Sequence, residues 1–375
     1  MKKTKEFIPV SQPVFNGNEK KYILEALDTG WISSEGPFVS KFEEEFSKKV
    51  NRQYGIAVSS GTAALDIAVK ALDIGVGDEV IMPTFTIISC AASVVKRGAI
   101  PIFIDVDPIT WNMNVSQIEE KITNRTKAIM AVHIYGLPVD IDPLIDLANQ
   151  YKLLVIEDAA EMHGQTYKNR LCGSFGHIST FSFYANKNIT TGEGGMIVTN
   201  SKSLRDRCRS LRNLCLQDKK RFIHSELGWN YRLTNIQAAI GLAQLERLEE
   251  IVEKKRRIGR WYNNLLNNLE GISLPLENTD YANNIYWVYG IVINKDNLNA
   301  EDLITLLKIE GIGSRPFFYP LHLQPVLVDY KKFNNTKFPV SEKISKQGLY
   351  LPSGLGISHT EIKKVANVLR DIVGE

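Results

Sequence analysis

Through the first half of the chain, short apolar β-rich runs alternate with stretches of helical spacing. Tyr54–Ser60, Glu79–Met82, Ile100–Val106, Lys127–Ile134 and Leu153–Glu157 read as strands, with Thr62–Leu72, Ile87–Arg97 and Leu144–Tyr151 as helices between them. Leu153-Leu154-Val155-Ile156 is apolar at every position, as suits a strand covered on both faces. Strand–helix alternation of this kind predicts an α/β fold whose sheet is mostly parallel. After Asn200 the pattern changes. Leu233 to about Leu266 holds few breakers and predicts a long helix, or a pair, leading into a second unit. Ile285–Ile293 reads as a strand, Ala300–Glu310 as a helix and Tyr350–Leu351 as a short extended piece. Ser358 with Glu361 forms a capping box for a last helix, on which Ile362, Val365, Ala366, Leu369 and Ile372 recur. We expect a large α/β/α domain over residues 1–245 and a smaller C-terminal α+β domain over residues 246–375.

Composition narrows the function classes. A formal charge of +3 on 375 residues is too small to imply nucleic acid as a partner. No apolar run follows the lysines of Met1–Val10, so no secretory signal is expected, and no stretch is long and apolar enough to span a bilayer. Cys90, Cys172, Cys208 and Cys215 share no CxxC spacing. Reduced thiols in a cytoplasmic protein, with neither a disulfide framework nor a metal site, are the expectation.

Ligands of α/β sheets gather beyond the carboxyl ends of the strands, and three segments lie there. In Ser59-Ser60-Gly61-Thr62-Ala63-Ala64 a strand runs into a helix, which makes either an ordinary N-cap or an anion site built from free N–H groups. In Ile156-Glu157-Asp158-Ala159-Ala160-Glu161-Met162-His163-Gly164 an aspartate ends an apolar strand. Such a carboxylate either caps the next helix or meets a buried cation such as a protonated pyridine nitrogen. His163 reads as a hydrogen-bonded structural histidine beside it. In Thr180–Gly195, Lys187 stands between an aromatic strand and a glycine-rich segment. It is either a loop lysine or a buried amine of lowered pKa, free to attack an aldehyde.

In that order the chain resembles the DegT/StrS-type sugar aminotransferases, a branch of the fold-type I pyridoxal-phosphate enzymes. SSGTAAL, IEDAAEMHG, FSFYANKNITTGEGG, NYRLTNIQAAIGLAQLE and SRPFFYPLHLQP carry the resemblance, from about Ile8 to the carboxyl terminus. It implies a pyridoxal 5′-phosphate cofactor, cycling through pyridoxamine 5′-phosphate, held by Lys187, which also moves the proton during transfer. Asp158 matches the partner of the pyridine nitrogen, Glu161 approaches the phenolic oxygen, and Gly61, Thr62 and Ser182 contact the phosphate. Asn230 matches an asparagine that reaches the phosphate from a second subunit, which implies a homodimer with shared sites. Trp31, Ser33, Arg232, Arg315, Tyr319 and His322 match regions near the substrate. DTGWISSEGPFV and NITTGEGGMIVTN resemble one branch of that family most, and this resemblance implies transfer from L-glutamate, the family's usual donor, to C4 of a nucleotide-linked 4-keto-6-deoxy-hexose, giving a GDP-perosamine-like amino sugar.

One position departs from the pattern. Where many relatives place an aromatic ring on the cofactor face, this chain has Ile87. Either isoleucine gives a purely apolar cover or a neighbour such as Phe85 contributes the ring. Alternatives to a C4 aminotransferase are a 3-keto-sugar aminotransferase, a sugar dehydratase and a non-catalytic regulator of the same fold. The dehydratase carries histidine where this chain has Lys187, and the regulator predicts loss of Asp158 or Lys187. A nicotinamide-dependent dehydrogenase would need a GxGxxG turn, which SSGTAAL lacks.

Overall fold

A computed structural model describes residues 7–216, 222–328 and 336–374. The elements, in chain order, begin with α1 (Glu19–Asp28), α2 (Pro37–Lys49), β1 (Tyr54–Val58), α3 (Gly61–Ala71), β2 (Glu79–Pro83), α4 (Ile88–Val95) and β3 (Ile100–Ile104). There follow β4 (Thr126–Val132), α5 (Ile141–Gln150), β5 (Leu154–Asp158), β6 (Thr166–Tyr167), β7 (Arg170–Leu171), β8 (Ile178–Ser182), β9 (Gly195–Thr199) and α6 (Lys202–Arg212). The remainder comprises α7 (Asn235–Leu245), α8 (Leu248–Leu266), β10 (Ile272–Ser273), β11 (Tyr289–Ile293), α9 (Ala300–Ile309), β12 (Arg315–Pro316), α10 (Pro325–Val328), α11 (Pro339–Gln347), β13 (Gly348–Leu351) and α12 (His359–Gly374).

The main sheet runs β1-β9-β8-β5-β4-β2-β3. Its β2–β3, β2–β4, β4–β5 and β5–β8 pairs are parallel, while β9 is antiparallel to both β8 and β1. Only β9 is therefore reversed, and the carboxyl ends of β1, β2, β4, β5 and β8 open on the same side. The two-residue period of these strands divides the core. Ile56, Val80, Met82, Met130 and Ile156 pack with α3 and α4 on one face, whereas Ala57, Ile81, Ile129 and Val155 pack with α2, α5 and α7 on the other. This is the expected α/β/α layering. A second sheet, β10-β11-β13-β12, holds its own core with α8, α9 and α12.

Of the two alternatives for the stretch from Leu233 the pair is present, and one expected strand boundary needs adjustment. The helical stretch from Leu233 is a pair, α7 and α8, interrupted at Glu246 and Arg247; Thr234 starts it with a capping box to Gln237. The strand expected over Ile285–Ile293 begins only at Tyr289, because Tyr286 has φ 49° and takes the chain out of extended geometry. The capping box at Ser358 and Glu361 is present, with reciprocal bonds of 2.7 and 3.2 Å.

Candidate active site

Beyond the carboxyl ends of the parallel strands lies a cavity of about 390 Å³. Seven residues singled out from the sequence line it: Gly61, Thr62, Ile87, Asp158, Glu161, Ser182 and Lys187. They come from the ends of β1, β2, β5 and β8 or the turns that follow them. Ser60 caps α3 by accepting from the Ala63 N–H at 3.1 Å, so the helix begins at the cavity wall. Gly61 is required there, since a Cβ would stand 2.8 Å from the Ser182 Cβ. The Thr62 hydroxyl is 2.8 Å from that of Ser89 on α4. Positive helix dipole, small residues and two hydroxyls make a cradle suited to a phosphate.

Asp158 ends β5 and is 3% exposed. Its Oδ1 accepts the Ala160 N–H at 3.0 Å, and its Oδ2 meets the Cys90 thiol at 3.3 Å. Burial pushes its pKa up despite these donors and the Lys187 charge. A thiol is a weak donor, so this carboxylate has capacity left for a cationic N–H on its cavity side. On the far side, Glu157 is also fully buried, but there His133 and the N–H groups of Gly173 and Phe175 outweigh burial and hold it at about 2. His133 lines the cavity with both ring nitrogens engaged, Nδ1 accepting from Val139 N–H at 3.1 Å and Nε2 meeting Glu157 at 3.2 Å. Neighbouring carboxylates on one strand are thus set to different tasks.

Lys187 has its side chain 10% exposed. Burial lowers its pKa, opposed by Glu161 and Asp158. Its Nζ lies 3.8 Å from Glu161 Oε1 and 3.6 Å from the centroid of the Trp287 ring. The residues that sequence reasoning missed are His133, Tyr135, Tyr184, Trp287, Phe318 and Tyr350, all in the lining. Trp287, Phe318 and Tyr350 come from the second unit, so the cavity is closed from both sides. A clue was present in the aromatic FF of the SRPFFYP segment.

Ile87 faces the cavity, whereas Phe85 is fully buried beneath it against Tyr135, Phe317 and Phe318. Of the two, Ile87 is the one that lines the cavity. The His163 ring packs among Phe46, Phe181 and Phe183, and the Ser182 backbone is the polar group beside it, at a geometry short of a good hydrogen bond. Burial lowers its pKa to about 3, so it is neutral.

The other predicted residues do not line this cavity. Trp31 and Ser33 are exposed, and Asn235 at the start of α7 ties both to itself through their carbonyls, at 2.6 and 2.8 Å. Asn230 is exposed and accepts from Arg232 Nε at 2.9 Å. Arg315 and Tyr319 are exposed near the mouth formed by Pro316 and Phe318. His322 is buried, 2.8 Å from the Thr84 hydroxyl through Nδ1 and 3.2 Å from Glu342 through Nε2, which leaves its ring no free nitrogen for a ligand.

The sequence model of the DegT/DnrJ/EryC1/StrS aminotransferase family matches residues 14–370. The chain belongs to that family. The GDP-perosamine synthase of Escherichia coli O157:H7 is 43% identical over 370 residues, covering 99% of this chain and 100% of that protein. The GDP-perosamine synthase of Vibrio cholerae is 40% identical over 368 residues, covering 97% and 98%. The solved aminotransferase from Psychrobacter cryohalolentis superposes with a TM-score of 0.91 at 30% identity, over 98% of this chain and 100% of its own. This family member is a pyridoxal-phosphate-dependent sugar aminotransferase, and the cradle, the buried carboxylate and the buried amine fit that cofactor.

Proposed function

We propose that the enzyme transfers an amino group from L-glutamate to a GDP-linked 4-keto-6-deoxy-hexose, giving a 4-amino-4,6-dideoxy sugar nucleotide of the perosamine type. The near full-length similarity to two GDP-perosamine synthases supports this substrate class. One structural observation carries the mechanism: Lys187 and Asp158 face the same enclosed cavity, one amine and one carboxylate, with the α3 N-terminus beside them.

When bound, pyridoxal phosphate supplies an electron-withdrawing ring that stabilises a carbanion next to nitrogen. Lys187 is the residue that would hold it covalently, and its amine would carry a proton to or from the substrate carbon. Burial lowers its pKa from the ordinary lysine value, which favours the unprotonated amine that attacks a carbonyl. Asp158 would keep the pyridine nitrogen protonated, because a buried anion favours the charged form of its partner. Gly61, Thr62 and Ser182 would receive the phosphate, Glu161 would lie toward the phenolic oxygen, and Ile87 would cover the ring.

The exposed Asn230, with Arg232, Trp31 and Ser33, serves the cavity of a second subunit in a homodimer. Exposed apolar side chains nearby, among them Leu27, Trp31 and Ile32, are consistent with a covered face. Arg315 and Tyr319 at the mouth meet the sugar nucleotide. Residues 1–245 act as the cofactor-binding domain and 246–375 as the smaller domain, in a cytoplasmic enzyme. Incubating the loaded protein with glutamate and GDP-, UDP- or dTDP-linked 4-keto-6-deoxy-hexose tests the reading. The GDP sugar should yield a 4-amino product by mass and NMR; amination of only the other two, or at C3, would overturn it.

A further inference from the structure

We infer that Glu161 is the proton partner of Lys187, taking the proton the lysine must lose before its amine can attack a carbonyl and returning it afterwards. The inference rests on the reading of Lys187 as the cofactor lysine. Glu161 Oε1 lies 3.8 Å from Lys187 Nζ, with the two side chains 7% and 10% exposed. Oε2 accepts the Tyr135 N–H at 2.6 Å, which holds the carboxyl in place. That N–H is aimed by an unusual backbone: Tyr135 has φ 55°, a left-handed conformation that costs a bulky residue energy and persists only where its surroundings impose it. Tyr135 is fixed by its ring stacking on Phe318, at 5.3 Å between centroids, and by the Phe318 N–H donated to its hydroxyl at 3.1 Å.

The groups facing the pair define its charge. Asp158 and Cys90 lie on one side, Tyr135 and Tyr350 on another, with His163 behind Lys187 and the Trp287 ring against the ammonium. Lys187 is the one cation of this set, since His163 is neutral. With both carboxylates ionised, the enclosed cluster would carry an excess negative charge. Burial accordingly raises Glu161 to about 7, against the pull of Lys187, while it lowers Lys187. The two affinities for a proton approach each other. In the transfer an N–H bond of the ammonium breaks and an O–H bond forms at Oε1. Carboxylate and ammonium become carboxylic acid and amine, with no proton exchanged with water.

Such a pair holds its proton count constant between its two macroscopic titrations, so the fraction of free amine is independent of pH there. Glu161→Gln keeps an acceptor for the Tyr135 N–H but cannot take the proton. The full-length protein, stripped of cofactor, would be mixed with pyridoxal 5′-phosphate between about pH 6 and about pH 9, and growth of the visible band of the lysine-bound cofactor followed. Free cofactor titrates alike in both experiments, so the ratio of variant to wild-type rates isolates the pair. That ratio should fall about tenfold per pH unit below the lysine's own titration in the variant. A ratio constant with pH overturns the inference.

If the wild type develops no visible band, Lys187 is not the cofactor lysine and the underlying reading falls with it. If the band forms with identical pH profiles in both proteins, only the role of Glu161 falls.

Discussion

The indole N–H of Trp287 donates to the backbone carbonyl of Asn186 at 2.9 Å, and the same ring lies under the Lys187 ammonium. Trp287 sits just before β11, in the second unit, whereas Lys187 follows β8 of the main sheet. One side chain thereby fixes both the backbone and the head of the lysine from across the cavity. Trp287→Phe keeps an aromatic face and removes the N–H. The loss should be about 1 kcal/mol, seen as a melting temperature about 1–2 °C lower and as cofactor binding weakened about fivefold. Thermal melts and cofactor titration check both figures.

Asp158→Asn should separate function from stability. The carboxylate is buried and its pKa is raised by that burial, so in the stripped protein it is an electrostatic cost. The stripped variant should melt no lower than wild type. With cofactor bound, the anionic partner of a buried cation is gone, a loss of about 3 kcal/mol or roughly a hundredfold in kcat/KM. Calorimetry of the stripped proteins beside steady-state kinetics distinguishes the two effects.

Lys255 on α8 is 3% exposed, pairs with no carboxylate among the described residues, and donates to the Ser353 carbonyl at 2.5 Å. Burial lowers its pKa from 10.5 to about 7. Between those values the unfolded chain binds more protons than the folded one, so this group makes stability rise with pH from about 7 to 10.5. Its contribution is full above 10.5 and is lost as pH falls through about 7. Lys255→Met should raise stability at neutral pH by about 1–4 kcal/mol and flatten that slope. Denaturant midpoints across the window provide the check.

The proposed sharing of sites between subunits can be tested by complementation. Asn230→Asp, which sets an anion against the phosphate, and Lys187→Ala should each be inactive alone. Unfolded and refolded together, they should regain about a quarter of wild-type activity, because half the dimers are mixed and each mixed dimer has one intact site. No recovery in verified mixed dimers would mean that Asn230 serves its own chain.

Much of this arrangement was legible in the sequence, for local reasons. The apolar strands and the turns after them announce themselves by composition, and that is where Gly61, Asp158 and Ser182 sit. Lys187 was legible because it follows an aromatic strand and precedes glycines. Trp287 and Tyr350 were not, because nothing in their own neighbourhood says which distant strand end they close over. Tyr135 escaped for another reason: its left-handed backbone is imposed by tertiary contacts with Phe318, against its own preference. The late start of β11 has the same origin at Tyr286. The expectation for His322 shows the opposite error, a position near the mouth whose ring turns inward to Thr84 and Glu342.

The account stands on the identity of the amine that holds the cofactor. Reducing the loaded wild-type protein with borohydride, digesting it and mapping the modified peptide by mass spectrometry tests this directly. A phosphopyridoxyl group on Lys187 is the predicted result. A modified lysine elsewhere, or none in a protein that still turns over, would contradict it.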